Sequence, residues 1–360
     1  MKKIIIIGSS IAGSYAACLL AGPCDVTVYE QKSKKDIGKK LCANVVTPTF
    51  LECIKKIELN PKKYIISEFS KANFFSKSNK VSLKTREFKI DRTKLVPDMI
   101  NLAQKRGAKF VFNTEFADFE RKDDGLKVSL SKNKKEIFDA CDILIGADGA
   151  LSNVAKKAGL WDKREFLLVV HTEVPVRKLK LEKENYYIYA GSKKGYYSYI
   201  FPSKGKAVIG IGDRPERVKE EYKSFLKFLK VKGGKVMAAM IPQPKIVHFQ
   251  KNLFLIGDAG CYVKFSGGGI IPAMISAEGA KDVILNRDFR KIKELNKRTF
   301  INRIATKTMF KMGDKDYDEL LEVFKSKQYG DILEKRDKLG KKEYLSLINL
   351  KILKFLLKLL

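Results

Sequence analysis

Apolar residues along this chain recur with two different periods, and the places where the period changes outline its organisation. Residues 3–7 form a continuous β-branched run stopped by Gly8, the pattern of a parallel strand buried on both faces. Residues 11–21 are rich in Ala and Leu and predict a helix. Val26-Thr27-Val28-Tyr29 predicts a second strand that ends at Glu30. This β–α–β unit has the length that a right-handed crossover needs. A helix over 90–106 and a strand over 109–112 extend it. Residues 126–130 and 136–138 read as a hairpin, and 143–145 as a short buried strand leading into Gly146-Ala147-Asp148-Gly149.

From about 166 to 212 the pattern changes to short apolar runs separated by turns, such as Tyr186-Tyr187-Ile188-Tyr189. These runs predict a second, mainly antiparallel sheet. A strand returns at 253–256, a helix follows over 268–285, and 290–360 reads as helical and Lys-rich. A chain of 360 residues exceeds what one hydrophobic core serves. The expected fold is α/β. A discontinuous Rossmann-like domain takes 1–60, 85–160 and 250–288, an inserted substrate domain takes 61–84 and 161–249, and a helical region takes 289–360.

Two glycine-rich stretches carry the chemistry. Gly8-Ser9-Ser10-Ile11-Ala12-Gly13 sits where the first strand turns into the first helix. Small residues there let the N–H groups of a helix N-terminus approach a pyrophosphate. Ser10 stands where the usual pattern has a middle glycine; it is small, and its hydroxyl can donate to phosphate. Glu30, with Gln31 beside it, ends the second strand, where a carboxylate binds the hydroxyls of an unphosphorylated ribose. A tight turn without a ligand has the same sequence, and this site alone does not separate FAD from NAD. The second stretch is Gly257-Asp258-Ala259-Gly260, with Gly267-Gly268-Gly269-Ile270 close behind.

The 72 Lys+Arg against 41 Asp+Glu leave a net charge of +31, which suits an anionic partner or a solvated lysine surface. No nucleic-acid reading module accompanies it, so no nucleic-acid partner is expected. The six cysteines form no C-x-x-C pair, and His171 and His248 are the only histidines. No metal site and no disulfide framework are expected, and the setting expected is cytoplasmic and reducing. No uncharged apolar stretch is long enough to span a bilayer, and the run after Met1 is too short for a signal peptide. Residues 345–360 are largely apolar, with Lys351, Lys354 and Lys358 on one helical stripe. That pattern fits a helix lying in an anionic membrane surface, or one docked on the protein.

Gly257-Asp258-Ala259-Gly260 resembles the GD motif of the para-hydroxybenzoate hydroxylase class of FAD enzymes, and Asp148-Gly149 resembles its DG motif. The resemblance implies that Asp258 bonds the ribitol chain and that the helix opened by Gly268, Gly269 and Ile270 faces the flavin ring. It also implies that Arg92 lies near the pyrophosphate. On residue type alone, Asp148 is equally a helix N-cap, and Arg92 a partner for surface acids. Within that class the chain is similar to the geranylgeranyl reductase family. Tyr197-Ser198-Tyr199-Ile200-Phe201-Pro202, then Gly210-Ile211-Gly212, resembles its Y-x-W-x-F-P and G-x-G motifs, with Tyr199 in place of Trp. Val263-Lys264-Phe265-Ser266-Gly267-Gly268-Gly269-Ile270 resembles V-K-P-x-x-G-G-G-I, with Phe265 for Pro and one residue fewer. Gly38-Lys39-Lys40-Leu41-Cys42-Ala43-Asn44 resembles G-x-K-x-x-C-A-E, with Asn44 for the acid.

The family resemblance implies an FAD-dependent enzyme that saturates isolated double bonds of isoprenoid chains, as in archaeal ether lipids. Hydride would come from reduced flavin N5, and a proton from a nearby acid in a dry apolar tunnel. Cys42, with Ala43 beside it, is expected at the reactive face as proton donor or as a control on the flavin; otherwise it is a small buried hydrophobe. Tyr197, Tyr199 and Phe201 share one strand face. With Pro202 and Gly210 they line the lipid tunnel or form ordinary core. The electron donor is external and unnamed, and an enzyme of membrane lipids is expected to sit peripherally on the membrane. Two other functions use parts of the same pattern. One is an NAD(P)H-dependent FAD monooxygenase, marked by oxygen consumption. The other is a carrier that binds flavin and lipid but leaves the lipid unchanged.

Overall fold

The computed structural model describes residues 1–39, 42–179, 181–182, 184–191, 196–325, 329, 333–334 and 336–338; the expected helix over 345–360 lies outside them. Five parallel strands form the first sheet, in the order Leu253–Leu255, Ile143–Gly146, Lys3–Ile7, Asp25–Glu30, Lys109–Phe112. The isoleucine run is central, and it alternates. Ile4 and Ile6 enter the core on one face, Ile5 and Ile7 the core on the other. Ile7 pairs with Gly146, and Gly146 with Leu255, so three turns leave the sheet at one carboxyl edge. In an open parallel sheet that edge is where ligands bind.

The helices are α1 Ile11–Leu20, α2 Thr49–Lys56, α3 Arg92–Lys105, α4 Asn153–Lys157, α5 Val218–Phe228, α6 Ile270–Asn286, α7 Arg290–Lys311 and α8 Asp314–Lys325. One face of the parallel sheet packs on α1, α3 and α6 through Tyr15, Leu95, Met99 and Met274. The other carries α4 and a three-stranded sheet of Thr114–Lys122, Gly125–Lys132 and Lys135–Cys141. The expected hairpin is the last two of these strands. The helix expected over 90–106 starts at Arg92 because the Asp91 carboxylate accepts from the Thr93 and Lys94 N–H groups.

The second sheet has eight strands, in the order Met237–Pro242, Phe166–Pro175, Lys206–Asp213, Tyr197–Ser203, Asn185–Tyr189, Ile65–Phe75, Lys80–Ile90, Val45–Val46. Only Asn185–Tyr189 beside Ile65–Phe75 is a parallel pair. The antiparallel sheet expected after residue 166 is present, and it recruits three strands from before residue 91 as well. Those were hard to read because the inward positions of Lys80–Ile90 include Thr85 and Glu87, both buried. Among the described residues no helix is long and apolar enough to cross a membrane.

Candidate functional site

Gly8 leaves the central strand with φ +100°, a left-handed conformation that other residues rarely adopt. A Cβ on it would stand 2.6 Å from the Ala147 carbonyl oxygen, and one on Gly13 would stand 1.8 Å from that of Gly8. Glycine is therefore what lets α1 begin so close to the strand. Ser10 is the N-cap, yet its side chain caps none of the first-turn amides, which leaves those donors for a ligand. Instead the Ser10 hydroxyl accepts from Arg92 Nη2 at 2.9 Å. Arg92 is buried and its Nε has no partner. A buried cation with an orphan N–H, bonded to a helix N-cap, is the chemistry of a phosphate site.

Glu30 pins the same loop. Its Oε2 accepts from the Ser9 N–H at 2.7 Å and the Ser9 hydroxyl at 3.0 Å; its Oε1 accepts from the Lys32 N–H at 2.9 Å. A carboxylate retains lone pairs beyond these for further hydroxyl donors. Gln31 beside it is exposed.

The two glycine stretches meet. Gly257 has φ +59°, its N–H donates to Ser276 Oγ at 2.9 Å, and a Cβ on it would stand 3.0 Å from that of Ala12. Asp258 lies over the start of α6, since a Cβ on Gly269 would come within 2.9 Å of its Oδ1. Gly269 is the N-cap of α6 and has no side chain, so a second helix N-terminus, opened by Gly268, Gly269 and Ile270, lies uncapped at this edge. Asp148 turns the other way. Its Oδ1 accepts from Ser152 Oγ at 2.5 Å and its Oδ2 from the Val154 N–H at 3.1 Å, so it caps α4; burial pushes its carboxyl up. Gly149 takes φ +87° in the same turn.

The inserted sheet contributes aromatic rings. Tyr197, Tyr199 and Phe201 lie opposite Gly212, Gly210 and Val208 on the neighbouring strand. A Cβ on Gly210 would stand 2.3 Å from the Tyr199 ring, and one on Gly212 3.1 Å from the Tyr197 ring. The G-x-G motif is thus a floor for two tyrosine rings. The Tyr197 hydroxyl also comes within 2.6 Å of where a Gly267 Cβ would be, which ties this sheet to the G-G-G loop. Tyr199 and Phe201 are buried among Phe69, Tyr186 and Val169, with Ala43 packed against them. Pro202 is buried at the strand end.

Cys42 precedes Ala43, which packs against these rings. Burial pushes the Tyr197 and Tyr199 phenols up, and the nearby Cys42 thiol adds to it. The Asn44 N–H donates to Cys42 Sγ at 3.3 Å. Asn44 takes φ +59°, and its buried Oδ1 has no partner. The Tyr199 hydroxyl lies 3.4 Å from His171 Nδ1. Burial lowers this imidazole to about 4, so it is neutral at pH 7 and can accept a hydrogen bond from the phenol.

Sequence reasoning missed a buried charge network. Lys264, in the loop before Gly267, pairs with Asp337 at 3.0 Å, and Asp337 also accepts from Thr47 Oγ1 at 2.5 Å. Next to it Arg336 pairs with Glu87 at 2.7 Å, and Glu87 accepts from the Tyr186 hydroxyl at 2.7 Å. Burial pulls the Lys264 ammonium down despite Asp337. Burial pushes Asp337 up, but Lys264 and Arg336 outweigh it and hold it below the usual carboxylate range. The only sequence signal was a polar residue at an inward position of an alternating strand.

The residues at this edge fit a dinucleotide cofactor: two uncapped helix N-termini, a buried arginine with an orphan N–H, and a carboxylate closing the second strand. Comparison with known proteins agrees. A family model described as an FAD binding domain matches residues 1–224. A digeranylgeranylglycerophospholipid reductase of Methanocaldococcus jannaschii is 26% identical, covering 89% of this chain and 90% of its own length. The crystal structure of a geranylgeranyl bacteriochlorophyll reductase-like protein from Thermoplasma acidophilum superposes with a TM-score of 0.78 at 19% identity, covering 100% of this chain and 99% of that one. A p-nitrophenol 4-monooxygenase from Pseudomonas putida shares the fold with a TM-score of 0.71 at 14% identity, covering 96% and 99%. The expected α/β fold, FAD as cofactor and the resemblance to geranylgeranyl reductases are borne out.

Proposed function

Because this chain belongs to the FAD binding domain family and is an FAD-dependent oxidoreductase, we propose that it saturates isolated double bonds of geranylgeranyl chains in ether lipids. One observation carries the reading: an aromatic strand face meets the G-G-G loop at the carboxyl edge of the nucleotide sheet, through Tyr197 and Gly267. An isolated alkene has no carbonyl to hold developing charge, so its site must be apolar, dry and within reach of a proton donor.

When bound, FAD supplies a hydride from its reduced ring, after reduction by an external donor. The chain supplies the rest. Gly8, Ser9, Ser10, Ala12, Gly13 and Arg92 hold the pyrophosphate at the N-terminus of α1. Glu30 with Gln31 takes the adenosine ribose, and Asp258 the ribitol hydroxyls. The N-terminus of α6 at Gly268, Gly269 and Ile270 stabilises negative charge beside it. Asp148 and Gly149 shape the turn against Gly8. Cys42 gives its Sγ proton to the alkene carbon opposite the one that receives hydride, and is reprotonated from solvent; Ala43 and Asn44 hold it in place. Tyr197, Tyr199 and Phe201 guide the isoprenoid chain, with Pro202 beside them on the same strand and Gly210 on the neighbouring strand leaving room for the Tyr199 ring.

The test uses purified, FAD-loaded protein, reduced with dithionite and given a geranylgeranylated ether lipid. A mass gain of one hydrogen pair per double bond is the expected result. A reduced, FAD-loaded protein that leaves the lipid mass unchanged sinks the proposal. Cys42→Ser is expected to slow turnover without lowering FAD content.

A further inference from the structure

The outer face of α7 has no part in the site. Its inner side packs on the body through Ile292, Leu295, Thr299 and Thr306. From that side Asn302 accepts the Phe265 N–H at 3.0 Å, so α7 carries the loop that holds Gly267. The exposed positions include Lys293, Lys297, Phe300, Ile304, Lys307 and Lys311. Their spacing alternates between four residues and three, which places them on one stripe of a helix. Arg303 is exposed alongside. Phe300 is 51% exposed and Ile304 43%, large values for apolar side chains. The only acid in α7 is Glu294, which pairs with Lys297 at 3.5 Å.

Two bare apolar side chains framed by lysines match the boundary of an anionic bilayer, where hydrocarbon takes the centre and phosphates take the frame. A nucleic-acid backbone would meet the lysines but leave Ile304 with nothing apolar to enter. A cleft of about 490 Å³ opens at the C-terminal end of the stripe, where Phe166, Arg214 and Phe310 join Lys307 and Lys311. Glu165 and Glu216 line it too, so the anion-attracting charge of this face lies on the lysines of the stripe. We propose that the outer face of α7 docks this protein on an anionic lipid bilayer. This deepens the lipid-reductase reading and rests on it for the choice of surface, while binding itself is read without turnover.

The experiment sediments the FAD-loaded protein with vesicles of equal parts phosphatidylserine and phosphatidylcholine, or of phosphatidylcholine alone. Flavin absorbance reports the bound fraction. Wild type is expected to sediment with the anionic vesicles only. Phe300→Ser with Ile304→Ser is expected to weaken binding at least about tenfold, and Lys297→Glu with Lys307→Glu to do the same and flatten its salt dependence. Retained flavin shows that each variant is folded. Wild type that ignores anionic vesicles overturns the proposal, as does unaltered binding by both variants, or tight binding to duplex DNA in place of vesicles. Vesicle binding that persists while the lipid stays unreduced overturns the enzymatic reading alone.

Discussion

Arg92 is the residue on which the proposed mode of cofactor binding turns. Its guanidinium is buried, bonds Ser10 at one nitrogen and leaves Nε without a partner. A charged hydrogen bond contributes about 1.5–3 kcal/mol, so Arg92→Met is expected to weaken FAD binding roughly tenfold to hundredfold, read by flavin fluorescence titration of the apoprotein. Affinity equal to wild type would reduce Arg92 to a partner for Ser10. His171 governs an acid-side loss of stability. Burial lowers it from 6.5 to about 4 when folded, so as pH falls the unfolded chain takes up its proton first. Stability from this group is complete above pH 6.5 and falls by about 3 kcal/mol on the way to pH 4. Urea midpoints at several pH values check this; His171→Gln is expected to flatten the slope in that window. Glu30 was legible because ribose chemistry needs an acid at the end of the second strand; Arg92 and Asp258 were legible only through the motifs that resemble the FAD enzyme class. The occupation of Asp148 by α4 was not, because a carboxylate before a helix reads alike in either role.

Among the elements, the glycines decide most. Gly210→Ala would drive a Cβ into the Tyr199 ring at 2.3 Å, and that ring is held by Phe201 at a centroid distance of 5.2 Å. Overpacking of this kind costs about 1–3 kcal/mol. A lowered melting temperature with flavin content retained is the expected outcome. At Gly13 the clash is with backbone, 1.8 Å from the Gly8 oxygen, and cannot be relieved by a rotamer change. Gly13→Ala is expected to abolish flavin binding, seen as colourless protein after purification; a yellow variant would contradict the close approach of α1. The β–α–β unit was legible because its strands are continuously apolar. Lys80–Ile90 was not, because Glu87 takes an inward position and its partner Arg336 comes from the far end of the chain.

At the scale of the whole molecule, the C-terminal region is tied to the glycine-rich loop before α6 by charge. Asp337→Ala would leave Lys264 buried without its counter-ion, a loss of about 3–5 kcal/mol in chemical denaturation. Lys264→Met with Asp337→Leu is expected to recover most of it, since a buried pair replaced by apolar side chains is close to neutral. A double variant as unstable as the single one would show that the two act independently. The sequence by itself determined the nucleotide-binding half through local rules (strand period, glycine where backbone must approach backbone, an acid at a strand end), and the cofactor type and the family through the resemblance of its spaced motifs. Only the tertiary structure decided that Gly257 rests on Ala12, that Tyr197 reaches Gly267, that Asp337 neutralises Lys264, and that α7 turns a lysine-framed apolar stripe outward. Each of those is a contact between distant segments, set by how sheets and helices pack rather than by any residue's own preference.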